Sequence, residues 1–221
     1  MRKILMVSLF FAICAQAQTQ KQWRDSISVL IEQINMHPSN ISLRLNKAEA
    51  NINLKQYDYA IEEYSRVLNM DKSNLAALYF RAFCHTQLRH YDMARADYDA
   101  FLMIQPEHLE ARLGLAHVLQ LLNRRTDATD EFNRIVQMFP DSVDAYAARA
   151  AYETHLGQYD AALYDWNRAL DLKPHKAELV VSKVDVLLKM GRRKEAYETL
   201  NQATKQGVSR AVLREWYDKC R

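Results

Sequence analysis

The sequence repeats with a constant period, and this period constrains the fold more than any other feature. Alanine recurs at equal steps in one column: Ala60, Ala94, Ala128, Ala162 and Ala196. A second column of mostly alanine keeps the same spacing: Ala48, Ala82, Ala116, Ala150 and Val184. A third column is mostly aromatic: Tyr64, Tyr98, Phe132, Trp166 and Leu200. A fixed period of about 20–50 residues indicates an array in which each unit buries its apolar face against its neighbours.

Each period has the pattern of two helices joined by a turn. Apolar residues are spaced by three and four, as in Leu75, Leu78 and Ala82, which is the spacing of one helix face. Asn74 stands directly before this run and is a good N-cap. Gly157 falls at the turn between two such segments, where a left-handed backbone conformation is useful. With only four glycines and four prolines, the composition disfavours a β fold with many tight turns.

These columns resemble the tetratricopeptide repeat family. The resemblance covers five consecutive segments: residues 41–74, 75–108, 109–142, 143–176 and 177–210. It implies an all-α fold, a right-handed α-solenoid of five helix-turn-helix repeats. Solenoid ends need caps, so residues 18–40 are expected to form an N-terminal half-repeat helix and residues 211–221 a C-terminal capping helix.

The expected C-terminal helix carries an apolar stripe of Leu213, Trp216 and Cys220, which should cover the fifth repeat. Outside residues 1–17 the only other cysteine is Cys84, four repeats away. A disulfide needs Cα atoms within about 7 Å, and stacked helices lie about 8–10 Å apart. We therefore expect two free and largely buried thiols.

One column holds cations where an apolar residue is usual in the family, and in three repeats an acid follows at the same later position. The pairs are Lys47 with Glu63, Arg81 with Asp97, and Arg149 with Asp165. In a helical hairpin these two columns face each other. They could form a charged stripe for a ligand, but we favour internal ion pairs that hold the two helices in register.

Residues 1–17 have the three parts of a secretory signal peptide. Two basic residues precede an apolar run at residues 4–13, and Ala15-Gln16-Ala17 provides a small-residue cleavage site. A membrane-spanning helix needs about 20 apolar residues, so this run is too short to cross a bilayer. We expect cleavage after Ala17, which leaves a soluble periplasmic or secreted protein that begins at Gln18.

Two alternatives to cleavage are an uncleaved anchor and a lipid-modified N-terminus at Cys14. A lipid-attachment motif needs a small residue before its cysteine, and Ile13 is not small. No later stretch is long and apolar enough to span a membrane, so we expect no direct membrane insertion after cleavage.

The charge balance argues against nucleic acid or an anionic membrane surface as a partner. The formal net charge of the whole chain is +3, and Arg2 and Lys3 supply two of these charges. The remaining chain is nearly neutral with interspersed signs, so it lacks the basic patch that such partners require.

No motif in the sequence carries recognisable chemistry. The seven histidines form no H-E-x-x-H, the cysteines form no C-x-x-C, and neither glycine-rich phosphate loop is present. We therefore predict no catalytic residues, no metal site and no cofactor, with an unrecognised enzyme as the least favoured alternative.

In the family, partners bind a concave wall formed by the first helix of each repeat. Eight residues are the predicted binding positions on that wall: Asn46, Glu49, Tyr79, Phe80, Phe83, Leu113, His117 and Gln120. Large aromatic residues beside the small Gly114 predict a shallow apolar trough with a polar edge, although some of these aromatics could pack only between helices. The resemblance thus implies a scaffold or adaptor that binds a peptide or protein.

Two further expectations concern the partner. Chaperone adaptors of this family clamp a C-terminal carboxylate with Lys, Asn and Arg, but the matching positions hold Leu45, Glu49, Phe80, Glu110 and Gly114. A carboxylate clamp of that type is therefore not expected. The alternative function is self-association as a structural component of an envelope complex, through exposed aromatics such as Tyr59 and Trp23.

Overall fold

The computed structural model describes the backbone of residues 2–221 and the side chains of residues 19–221, and this part of the chain holds twelve α-helices and no strand. The expected all-α fold of paired helices is confirmed. The first helices of the five pairs are α2 (Ile41–Asn53), α4 (Leu75–Gln87), α6 (Leu109–Leu121), α8 (Val143–His155) and α10 (Ala177–Lys189). The second helices are α3 (Tyr57–Met70), α5 (Tyr91–Ile104), α7 (Arg125–Met138), α9 (Tyr159–Leu172) and α11 (Arg193–Lys205).

One helix precedes the five pairs and another follows them. α1 spans Arg2–Met36 and packs on α2, and α12 spans Arg214–Lys219 and packs on α11. The predicted signal segment, residues 1–17, lies outside the residues whose side chains are described, so its cleavage stays a prediction. No helix in the described part of the chain is both long enough and apolar enough to cross a bilayer.

The chain forms two compact units, residues 1–124 and residues 125–221. In the first unit every helix from α1 to α6 packs on the next, and the first helices α2, α4 and α6 also contact one another in order. In the second unit every helix from α7 to α12 packs on the next, and α8 also contacts α10.

The small residues of the repeat lie where helices approach most closely. Both alanine columns are fully buried at 0% exposure: Ala48, Ala82, Ala116, Ala150, Ala60, Ala94, Ala128, Ala162 and Ala196. The bulky column is buried beside them, with Tyr64 2%, Tyr98 4%, Phe132 4% and Trp166 6% exposed. Alanine lets two helix backbones approach, and the larger side chain fills the remaining space at interior density.

The turn inside each helix pair uses a left-handed residue at the same position of every repeat. The five φ angles are 58° at Lys55, 62° at Arg89, 57° at Asn123, 76° at Gly157 and 73° at Gly191. The left-handed conformation predicted for Gly157 is confirmed, and Gly191 adopts it as well. Lysine and arginine adopt this conformation at a cost of about 1–2 kcal/mol that glycine does not pay.

The three predicted ion pairs form: Lys47 with Glu63 at 2.9 Å, Arg81 with Asp97 at 2.8 and 2.6 Å, and Arg149 with Asp165 at 2.6 and 2.8 Å. Arg149 Nη1 also donates to Asn133 Oδ1 of the preceding helix at 3.0 Å. Asp165 is 0% exposed. The Arg149 pair therefore joins three helices inside the protein. In these three repeats the column consists of internal ion pairs, as predicted, rather than a stripe for a ligand.

The C-terminal end differs from expectation. Residues 210–213 form a turn, so α12 is shorter than the predicted helix, and it buries Tyr217 (4% exposed) while Trp216 stays partly exposed. Leu213 is fully buried as expected, and the Tyr217 hydroxyl donates to Asn201 Oδ1 at 3.1 Å. Because Leu213 and Tyr217 are four positions apart, they share the face that covers α11.

Both described cysteines have free thiols. Cys84 is buried, and burial raises the pKa of its thiol to about 12. Cys220 is only partly buried, so the expected burial holds for Cys84 and is incomplete for Cys220.

Candidate functional site

The eight predicted binding residues lie on three helices of the first unit. α2 carries Asn46 and Glu49, α4 carries the three aromatics, and α6 carries Leu113, His117 and Gln120. None of the eight is fully buried. The exposed members are Asn46, Glu49, Phe80 and His117, and the partly buried members are Tyr79, Phe83, Leu113 and Gln120.

Tyr79 is the centre of an aromatic cluster. Its ring centroid lies 5.2 Å from that of Phe80, 5.9 Å from those of Tyr98 and Phe101, and 6.0 Å from that of His108. Edge-to-face and tilted pairs at these distances are favourable beyond their buried area. Burial raises the pKa of Tyr79, with the carboxylate of Glu110 as a smaller cause. Tyr79 therefore both packs between helices and lines the surface.

Phe80 and Phe83 differ in how much of each ring is left for a partner. Phe80 stacks on Tyr64 with centroids 6.1 Å apart, yet 42% of its surface stays exposed. Phe83 meets Tyr57 edge-to-face at 6.2 Å and is only partly exposed. An exposed phenylalanine that is held by a neighbouring ring is a preorganised apolar contact, so Phe80 is the strongest binding candidate of the three.

A cavity of about 480 Å³ opens beside Tyr79 and Phe80. Its lining comes from the start of α4, the end of α5 and the segment into α6: Leu75, Ala76, Tyr79, Phe80, Phe101, Gln105, His108 and Glu110. Apolar walls with a few polar groups at the edge are typical of sites that take an apolar side chain.

Of the eight residues that line this cavity, only Tyr79 and Phe80 were predicted as binding positions. Three of the others lie outside the first helices: Phe101, Gln105 and His108. The family pattern places binding positions on first helices, whereas these three belong to the end of a second helix and the loop after it. Pro106 marks that loop in the sequence but does not indicate which side chains turn toward α4.

His108 supplies part of the polar edge of the cavity. It is the N-cap of α6, and its Nδ1 accepts the N–H of Ala111 at 3.2 Å. The same nitrogen lies 3.3 Å from Oε2 of Glu110, which also lines the cavity. Packing against Phe101, with ring centroids 4.8 Å apart, holds the ring plane. His108 thus places a polar ring edge beside an apolar cavity.

The trough expected at Gly114 is filled from within the protein. A Cβ atom on this glycine would lie 2.5 Å from Cζ and 2.7 Å from Oη of Tyr98. The Tyr98 ring is only 4% exposed and occupies the space that the sequence suggested was open. Glycine at this position serves the packing of α5 against α6 and leaves no trough for a ligand.

His117 shares its position in the repeat with Glu49 and Phe83. Its side chain is exposed to solvent, yet the surrounding protein desolvates the ring and lowers its pKa. The lowered pKa favours the uncharged form at neutral pH. The polar side chains predicted around the aromatics are therefore one carboxylate, from Glu49, and uncharged groups from Asn46, His117 and Gln120.

Within the described part of the chain, no group of three or more His, Cys, Asp or Glu side chains is arranged to hold a metal ion.

Comparison with known proteins agrees with the repeat architecture. Tetratricopeptide-repeat family models match residues 41–74, 113–177 and 154–214. Among curated protein sequences, none matches the chain.

Solved structures with the same fold include three of interest. A tetratricopeptide repeat protein from Parabacteroides merdae superposes with a TM-score of 0.66 and 22% identity, over 92% of this chain and 79% of that one. YrrB, described as having an unusual peptide-binding site, gives 0.59 and 18% identity over 84% and 96% of the two chains. MamA from Desulfovibrio magneticus RS-1 gives 0.65 and 14% identity over 76% and 96%.

The family models cover most of the repeat region, and the helix pairs pack in sequence order within each unit. The chain belongs to the tetratricopeptide repeat family.

Proposed function

We propose that the protein is a non-catalytic scaffold that binds a peptide or a segment of a protein on the surface of α2, α4 and α6. Tetratricopeptide repeats as a fold support protein–protein interaction. The observation that carries the proposal is Phe80, which is 42% exposed at the edge of a cavity of about 480 Å³. Burying a fully exposed phenylalanine side chain is worth about 1.5–3 kcal/mol, and the 42% of Phe80 that is still exposed leaves roughly 0.6–1.3 kcal/mol of this for a partner. Phe80 is therefore expected to be one anchor of the partner.

The chemistry of the surface defines the segment that it would bind. The cavity beside Phe80 suits one apolar side chain, with the His108 ring and the Gln105 amide at its edge. Asn46 and Gln120 offer amides that can pair with the backbone of an extended or helical segment. The peptide-binding site named for YrrB, a protein of the same fold, is consistent with this use of the fold.

The location proposed for this binding is outside the cytoplasm, after removal of residues 1–17. The support is the basic start, the short apolar run and the Ala15-Gln16-Ala17 site. Intact-mass analysis of the protein from the periplasmic fraction of producing cells tests it. A mass that corresponds to a chain beginning at Gln18 supports export, and an unprocessed chain in the cytoplasm contradicts it.

The binding surface is tested by selecting peptides from a random display library against the purified protein and measuring their affinities. We expect selected peptides to share an apolar anchor and to lose about three- to tenfold in affinity for the Phe80→Ala variant. Tyr164→Ala is the matched control, because Tyr164 is an exposed aromatic (62%) on α9 of the other unit. Equal loss in both variants, with unchanged circular dichroism, contradicts the proposed site.

Self-association is the second candidate function, and large apolar side chains exposed on second helices favour it. Met103 is 86% and Tyr59 60% exposed, while Trp23 is partly buried. Multi-angle light scattering distinguishes the two functions. A mass that rises with concentration and returns to the monomer in a Tyr59→Ser, Met103→Ser variant supports self-association.

A further inference from the structure

The column of internal ion pairs is incomplete in the fifth repeat. Lys183 stands one repeat after Arg149, and Thr199 stands where Asp165 would recur. Within the residues that the structure describes, Lys183 makes no hydrogen bond and no ion pair. It is nevertheless only partly exposed, because α9 and α11 flank it on α10. A partly buried ammonium without a partner is unfavourable unless something else neutralises it.

Open space adjoins this lysine. A cavity of about 410 Å³ lies among α9, α10 and α11, and a smaller one of about 200 Å³ adjoins it. Four polar side chains line both cavities: Asn167, Lys183, Thr199 and Gln202. A ligand that enters either cavity therefore meets Lys183 together with two side-chain amides and a hydroxyl.

The acids nearest to Lys183 already have cationic partners. Glu195 accepts from Arg192 at 2.6 Å, and Asp171 lies 3.6 Å from Arg168. Both attract the ammonium only from a distance. Burial lowers the pKa of Lys183 although these carboxylates oppose the shift, and Arg192 adds repulsion.

The remaining charged group at these cavities is Glu198, which lines the smaller one and is exposed. Its carboxylate is free to stay in solvent, so it does not neutralise Lys183 by contact.

The fourth repeat shows what a complete site contains. Arg149 lies between Asn133 on the preceding helix and Asp165 on the following one, with bonds of 3.0 Å and 2.6 Å. In the fifth repeat Asn167 takes the position that Asn133 holds one repeat earlier, and Lys183 supplies the cation. The amide and the cation are therefore present, and the carboxylate is missing.

From this juxtaposition we infer that the cavity around Lys183 is a carboxylate-binding site, filled by an acidic side chain of a partner protein. The carboxylate accepts from the Lys183 ammonium as Asp165 accepts from Arg149, and the Gln202 amide and Thr199 hydroxyl lie within the same cavity. The site belongs to α9, α10 and α11. It does not depend on the aromatic surface of α4.

The test uses three N-acetylated tripeptides and amide NMR of the full chain. Acetyl-Gly-Glu-Gly-amide is the probe, and acetyl-Gly-Gln-Gly-amide is its uncharged match. Acetyl-Gly-Ala-Gly with a free C-terminus presents the other source of a carboxylate. We expect the Glu peptide to shift the amides of Asn167, Thr199 and Gln202, and the Gln peptide to bind at least about tenfold more weakly.

Two variants assign the effect to this site, and a third is the control. Lys183→Gln should weaken the Glu peptide at least about tenfold, since it removes the charged donor. Thr199→Asp should block the site by supplying the missing internal carboxylate, and it should raise the melting temperature. Lys189→Gln is the control on the same helix, because Lys189 already pairs with Asp185 at 2.7 Å. The affinity of this variant for the Glu peptide should equal that of the unaltered protein.

Several results overturn the inference. Equal binding of the Glu and Gln peptides, or unchanged binding by a folded Lys183→Gln variant, shows that the carboxylate does not pair with this lysine. Tighter binding of the free C-terminus overturns the assignment to an acidic side chain. The site is also wrong if none of the three peptides shifts any amide signal. The Thr199→Asp spectrum identifies in advance the amides that a carboxylate at this position must affect.

Discussion

The ion pair between Arg149 and Asp165 gives the sharpest test of how the repeats are held together. Asp165 is fully buried and accepts two hydrogen bonds, from Nε at 2.6 Å and from Nη2 at 2.8 Å. Asp165→Asn keeps the shape of the side chain but removes its charge and turns one acceptor into a donor. The guanidinium then keeps only the Glu153 carboxylate, 4.0 Å away, as a counter-charge.

The magnitude follows from burial. Removing one partner of a buried ion pair costs about 3–5 kcal/mol. The Arg149 side chain keeps 19% exposure and therefore some hydration, which places the expected loss near the lower end, about 3 kcal/mol. Asp185→Asn is the matched control, because its pair with Lys189 is 40% and 46% exposed and is worth only about 0.3–0.5 kcal/mol.

Urea denaturation followed by far-ultraviolet circular dichroism measures both variants. A double variant, Arg149→Met with Asp165→Leu, removes both charges and should recover much of the stability, because apolar replacement of a whole buried pair is often neutral. Equal midpoints for Asp165→Asn and Asp185→Asn would refute the reasoning, as would a double variant as unstable as Asp165→Asn.

Three further predictions concern single residues. Arg89→Gly should raise the free energy of unfolding by about 1 kcal/mol, because arginine holds a φ of 62°; a lower urea midpoint contradicts this. Burial, with Asp165 nearby, raises the pKa of Glu153 from 4.5 to about 7, although Arg149 opposes the shift. The protonated Glu153 side chain therefore contributes fully to the free energy of unfolding at pH values below the pKa of an unfolded glutamate. This contribution is lost as the pH rises through about 7. Glu153→Gln should therefore flatten the decline in stability between about pH 4.5 and 7, by roughly 1–3 kcal/mol once solvent screening is allowed for, and an unchanged pH profile is the opposing result. Gly114→Ala should cost about 1–3 kcal/mol by pressing on the Tyr98 ring, and a Tyr98→Leu background should reduce that cost in thermal melts.

The architecture could be predicted from the sequence because the repeat places equivalent residues in equivalent surroundings five times. The alanine columns, the left-handed glycines and the pairing of Arg81 with Asp97 all follow from that period. Each rests on interactions within one helix pair, where spacing along the chain determines which side chains meet.

The binding surface was only partly predictable, because it depends on contacts between pairs. Helical spacing places Phe80 on the exposed side of α4 but does not show that Tyr64 stacks beneath it. Likewise, Gly114 looks open in sequence although the Tyr98 ring occupies its space. At the C-terminus, the turn at residues 210–213 shifts the phase of α12, so Tyr217 is buried where Trp216 was expected.

The proposal that α4 carries the partner-binding face can be tested by placing the photoreactive residue p-benzoylphenylalanine at Phe80 and, separately, at Tyr164, in cells that produce the protein. Both positions are exposed aromatics, 42% and 62%, on different units. We expect illumination to link one and the same partner protein to position 80 and not to position 164. No adduct at position 80, or the same adducts from both positions, would contradict a binding face on α4.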